Sequence, residues 1–113
     1  MRLLVCGGRD FSDSVYLYST LDRLHAERGI ECIIQGGARG ADALAAEWGR
    51  SRGVSVTTFM ADWDRHGRSA GPIRNRVMLS EGRPDGVVAF AGGVGTADMI
   101  AAAELAGVLV WRR

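Results

Sequence analysis

The chemistry in this sequence gathers around glycines. The stretch Ala91-Gly92-Gly93-Val94-Gly95-Thr96-Ala97-Asp98 follows an apolar run, Gly86 to Phe90, and precedes an alanine-rich helical pattern from Met99 to Ala106. A strand that breaks into glycines and restarts as a helix leaves main-chain N–H groups facing the gap, where the helix also places partial positive charge. Glycine has no Cβ, so a ligand oxygen can approach that main chain closely. Thr96 is the candidate N-cap, with a hydroxyl that serves either the helix or a ligand. Gly92, Gly93, Gly95 and Thr96 therefore read as an anion cradle, with phosphate as the expected anion. On these residues alone, a tight strand-to-helix turn without a ligand is an equal alternative.

Other candidates sit at similar places. Arg9 follows Gly7 and Gly8 and either reaches a phosphate or pairs with Asp10. In Gly36-Gly37-Ala38-Arg39-Gly40-Ala41-Asp42, Arg39 is either a phosphate ligand or a solvated charge. Asp42 either caps a helix or bonds ribose hydroxyls. The segment Ala61 to Pro72 holds Asp62, Trp63, Asp64, Arg65, His66 and Arg68. There Trp63 either stacks on a base or anchors the loop, and His66 is either solvated or a polar ligand contact. Arg74, Asn75 and Arg76 follow on one helical pattern, which cannot turn all three toward one cleft. Arg74 and Asn75 are assigned to the cleft and Arg76 to the surface. Asp98 is either a favourable charge at a helix start or a carboxylate near a sugar.

These residues need a frame. Five mostly continuous apolar runs read as strands covered on both faces: Leu3–Cys6, Ile30–Gln35, Val54–Phe59, Gly86–Phe90 and Val108–Trp111. Helical patterns alternate with them over Ser14–Arg28, Arg39–Arg52, Pro72–Glu81 and Ala97–Ala106. The first places Val15, Leu17, Tyr18, Leu21, Leu24 and His25 on one face. It is capped by Ser12 or Asp13 and stopped by Gly29, and His25 is read as a packing residue. Ala41, Leu44, Ala45 and Trp48 form the second packing face, and Ile73, Val77 and Met78 the third. Pro72 suits a first helical turn.

Strand-helix alternation predicts an α/β fold, a Rossmann-like doubly wound parallel five-stranded sheet of order 3-2-1-4-5, in a single domain over residues 1–113. In such a sheet the turns after the strands share one edge, where ligands bind. The glycines and charges concentrate in those four turns, whereas the opposite turns are plain. That asymmetry is the evidence for a site.

Several classes are excluded. The first turn is not G-x-G-x-x-G, and a Walker motif needs a lysine that the chain lacks. There is no G-x-S-x-G elbow and no two-histidine metal pair. No cofactor and no metal are expected. Net charge is +1 with 14 basic and 13 acidic residues, all of the former arginine, so no broad field favours nucleic acid or membrane. Cys6 and Cys32 lie in strand-like runs and read as small core residues in a reducing compartment. No apolar run reaches the ~20 residues that span a bilayer. A cytoplasmic protein is expected.

Five segments together resemble the SLOG superfamily, which includes the cytokinin-activating LOG (lysine-decarboxylase-like) proteins and DprA. They are Gly7 to Phe11, Gly36 to Asp42, Ala61 to Gly67, Ala70 to Leu79 and Gly92 to Asp98. Within it the match is to the DUF2493 group, also called YspA or cpYpsA-related. The resemblance implies a Rossmann-like fold, a pocket for a nucleotide or nucleotide-derived ligand, and a homodimer. It adds two alternatives to plain binding or sensing: LOG-like hydrolysis of an N-glycosidic bond and DprA-like binding of single-stranded DNA. The LOG motif P-G-G-x-G-T-x-x-E departs here at Ala91 in the proline position and at Met99 in the glutamate position. Asp98, one residue early, and Arg74 are the catalytic candidates that the resemblance leaves. Near-neutral charge argues against a long DNA track.

Overall fold

The computed structural model describes residues 1–113. Five parallel strands, β1 (Arg2–Cys6), β2 (Cys32–Gln35), β3 (Ser55–Thr58), β4 (Gly86–Ala89) and β5 (Leu109–Arg112), form one sheet in the order β3-β2-β1-β4-β5. Leu3 pairs with Ile33 on one side and Gly86 on the other, so β1 is the centre of the sheet. The predicted fold and strand order are those observed.

Side chains alternate across the sheet, as the period of two in a strand requires. Leu3 and Val5 of β1 point into one core with Val88, Phe90 and Trp48. Leu4 and Cys6 point into the other with Val87, Ala89, Met78 and Met99. Helices α1 (Ser14–Arg28) and α2 (Ala41–Ser51) cover the first face; α4 (Ala70–Gly82) and α5 (Val94–Leu105) cover the second. Only the three inner strands are covered on both faces. The edge strands β3 and β5 are half-buried at best, contrary to the expectation from their continuous apolar character.

Local chemistry explains most boundaries. Asp13 caps α1 by accepting from the Tyr16 N–H at 3.0 Å, and Gly29, at φ 71°, ends it. His25 Nδ1 accepts from the Ile30 N–H at 2.9 Å and its ring meets Trp48 edge-on, the packing role expected of it. Trp48 is fully buried and donates to Asp22 Oδ1 at 2.8 Å. Pro72 falls in the first turn of α4, where its missing N–H costs nothing.

Four readings are corrected. Val15 (77% exposed) and Ile73 (39% exposed) face solvent, because the buried faces of α1 and α4 centre on Leu17-Leu21-Leu24 and on Gly71-Asn75-Met78. The segment after β3 is not an open loop. It folds as a short helix α3 (Trp63–His66), a 3₁₀ turn (Gly67–Ser69) and the start of α4. Helix α2 starts at Ala41 rather than Arg39. Helix α5 starts three residues earlier than Ala97, so Gly93 is the N-cap and Thr96 lies in the first turn. Ala97 N–H bonds the Gly93 carbonyl at 3.0 Å, which extends the ladder back through Val94 and Gly95. Cys6 and Cys32 are both buried and free.

Candidate functional site

Three of the turns at the C-terminal edge of the sheet are tied together through Gly8. Its N–H donates to the Ala91 carbonyl at 2.8 Å, while its own carbonyl accepts from Phe11 and Ala41, each at 3.2 Å. Gly40, at φ 80°, lies so close to Gly8 and Arg9 that a Cβ would strike both carbonyls. Close main-chain approach is what the glycines provide here. The turns and α4 enclose a cavity of about 930 Å³.

One wall of that cavity is the start of α5. No side chain caps this helix, and the N–H groups of Gly93, Val94, Gly95 and Thr96 have no backbone acceptor. Thr96 is buried (8% exposed), lines the cavity and spends its hydroxyl on no partner in the fold. A Cβ at Gly92 would collide with that hydroxyl, so Gly92 keeps the approach to it open. The other helix starts nearby are filled: α1 by Asp13, and α2 by the Gly8 carbonyl at Ala41.

The floor carries a buried acid and a half-buried arginine. Asp42 Oδ2 accepts from Ala38 N–H at 3.2 Å. Arg74 Nη1 donates to the Gly36 carbonyl at 2.7 Å, and its Nε donates to Asn75 Oδ1 at 3.1 Å. Burial pushes the Asp42 carboxyl above its ordinary range, against the pull of the Ala38 N–H and the Arg74 charge. Burial also lowers the Arg74 guanidinium, which Asp42 partly restores. Each charge thus loses more to desolvation than the other returns. Cys6 lies beside them, its thiol pushed up to about 12 by burial first and the Asp42 charge second.

Asn75 spends both ends inside the fold: besides receiving Arg74, it donates to Asp98 Oδ2 at 2.9 Å and to the Gly95 carbonyl at 3.3 Å. Arg76, assigned to the surface, is exposed yet reaches Asp98 Oδ2 at 2.7 Å. Arg76 holds the Asp98 carboxyl below its ordinary range, with help from Asn75. On the outer wall, Arg9 lies over the Trp63 ring at 5.4 Å from its centroid.

Residues 1–66 match the family model described as the YspA, cpYpsA-related SLOG family. The chain belongs to that family. The Gene 61 protein of Mycobacterium phage D29 is 38% identical over 117 residues, covering 96% of this chain and 93% of that protein. Among solved structures, DNA processing protein A (DprA) from Streptococcus pneumoniae superposes with a TM-score of 0.62 at 16% identity. That match covers 97% of this chain and 58% of the DprA chain, and it shows the shared fold.

In this SLOG domain Gly8, Arg9, Asp42, Trp63, Arg74, Asn75, Gly92, Gly93, Gly95, Thr96 and Asp98 all line the cavity. Four other predicted residues lie outside the lining. The Gly37 N–H turns to Gln35 Oε1 at 2.6 Å, and Arg39 lies exposed, 3.4 Å from Asp10. Asp62 caps α3 through the Arg65 N–H at 3.1 Å, and His66 ends that helix. Met99, at the position of the LOG glutamate, is buried in the core and not in the cavity. Sequence reasoning passed over Arg68, Phe11 and Ser12, which also line it. Their signal was topological: all three sit in turns that follow a strand.

Proposed function

We propose that this protein binds a nucleotide or nucleotide-derived ligand through its phosphate and ribose, as a sensing or ligand-processing module. The observation that carries the reading is the open start of α5, where unpaired N–H groups and the free Thr96 hydroxyl face one cavity. Such a helix start favours an anion by charge and by hydrogen bonding together. Arg74 and Arg9 add cationic donors, and Asp42 is placed to accept from sugar hydroxyls. Calorimetry with AMP, ADP-ribose and NAD tests it. Binding that is lost in Thr96→Val supports the reading; no heat and no thermal shift at millimolar ligand rejects it.

Hydrolysis of an N-glycosidic bond is the second reading. It requires a carboxylate free to meet the anomeric carbon, and Asp42 suits that better than Asp98, which Arg76 and Asn75 already occupy. Base release detected by chromatography and lost in Asp42→Asn supports it. A homodimer accords with exposed Leu105 and Leu109 at one end of the sheet, and light scattering reads it directly. No helix is long and apolar enough to cross a membrane.

A further inference from the structure

The carboxylates around the cavity are largely committed within the fold, whereas the arginines that line it pair with no carboxylate. Asp98 is held by Arg76, Asp13 caps Tyr16, and Asp10 lies 3.4 Å from Arg39. Asp42 has no arginine at ion-pair distance and accepts from the Ala38 N–H. Arg9, Arg68 and Arg74 line the same cavity. They are not spread evenly. Arg74 is on the floor, tied to Gly36 and Asn75. Arg9 packs on Trp63, and Arg68 follows five residues later on the same outer segment.

This leaves two separate sources of positive charge in one cavity. The α5 start with Thr96 is sufficient for one phosphate. Arg9 and Arg68, both exposed and unpaired at the outer side of the cavity, are then free to meet a second anion. The Arg9 charge already lowers the Arg74 guanidinium. At about 930 Å³ the cavity is also near the top of the roughly 300–1,000 Å³ range of small-molecule sites.

Resting on the nucleotide-binding reading, we infer that Arg9 and Arg68 form a second anion subsite, so that the ligand carries two phosphates: a nucleoside diphosphate or an ester of one. Thr96 and the α5 N–H groups hold one phosphate. Arg9 and Arg68 hold the other beside Trp63.

The test is calorimetric titration of the whole protein, in EDTA, with the 5′-monophosphates and 5′-diphosphates of adenosine, guanosine, cytidine and uridine. For the base that binds, the diphosphate is expected about tenfold tighter or more, as charge-assisted bonds to a second phosphate require. Arg68→Gln is expected to remove that advantage while leaving the monophosphate Kd within about twofold. Thr96→Val weakens both. A diphosphate no tighter than its monophosphate overturns the two-phosphate inference and leaves nucleotide binding standing. So does an Arg68→Gln variant that weakens both ligands alike. Binding of none of the eight nucleotides, nor of ADP-ribose or NAD, overturns the inference and the underlying reading together. A melting temperature within a few degrees of wild type verifies that the Arg68→Gln variant is folded.

Discussion

Arg76 grips Asp98 with both nitrogens, Nη1 to Oδ2 at 2.7 Å and Nη2 to Oδ1 at 3.2 Å, across the packed helices α4 and α5. With Asn75 on the same carboxylate, the fork anchors the glycine-rich start of α5 to α4. An acid so occupied is a fastening between two helices. Asp98→Asn is therefore expected to lower stability by about 1 kcal/mol or less, as for partly exposed ion pairs. It should weaken ligand binding only through a looser α5 start. Because Asp98 titrates below its ordinary value in the folded chain, its contribution is present at neutral pH and fades as pH falls below about 4. Thermal melts of wild type and variant between pH 3 and 7 should converge at the acid end.

Asp42 has the opposite sign. Its carboxyl is raised on folding, so the folded chain binds a proton more tightly than the unfolded one. Ionised Asp42 then opposes folding above its raised value, and the penalty disappears as pH drops toward the ordinary carboxylate range. Asp42→Asn is expected to melt higher than wild type at pH 7 and level with it near pH 4. A variant that melts lower at pH 7 would mean that the bond from Ala38 outweighs the burial of the charge.

Thr96→Val should leave the fold intact and remove one hydroxyl from the cavity. A hydrogen bond to a charged group is worth about 1.5–3 kcal/mol, so affinity for a phosphorylated ligand should fall by roughly tenfold or more. Gly92→Ala should reproduce this loss, because its methyl would occupy the space in front of the hydroxyl. It should also destabilise the fold, since the same methyl would meet the Gly8 nitrogen at 2.8 Å. Calorimetry reads the first effect and denaturant melts the second.

Gly40→Ala combines a left-handed backbone, φ 80°, with a collision against the Gly8 and Arg9 carbonyls. Strain of that kind costs about 1–3 kcal/mol, which corresponds to several degrees of melting temperature in a domain of this size. Gly53→Ala is the control. It has a similar φ of 69° but nothing near its Cβ, so it should cost less.

The Cys6 thiol, raised to about 12, should stay protonated and resist iodoacetamide at pH 8 although it borders the cavity. Both cysteines should react once the chain is unfolded. Mass spectrometry counts the alkylated sites in each state.

Much of this molecule is legible in one dimension. Hydrophobic runs of strand length alternating with helical periodicity determine the parallel sheet and its order, because local patterning and right-handed crossovers leave few other arrangements. The same topology puts Gly8, Asp42, Trp63 and Thr96 on one edge before any coordinate is known. Side-chain partnership is another matter. Whether Asp98 faces a ligand or Arg76, and whether Arg39 enters the cavity or lies on Asp10, depends on distances between segments remote in sequence. So does the exposure of β3 and β5, since an apolar run reads alike at the centre and the edge of a sheet. The start of α5 shows both limits at once. Its glycines announce a helix start open to an anion. Only the packed structure decides that Gly93 caps it, that Thr96 keeps its hydroxyl free, and that the carboxylate two residues on is bonded by Arg76 and Asn75 across the two helices.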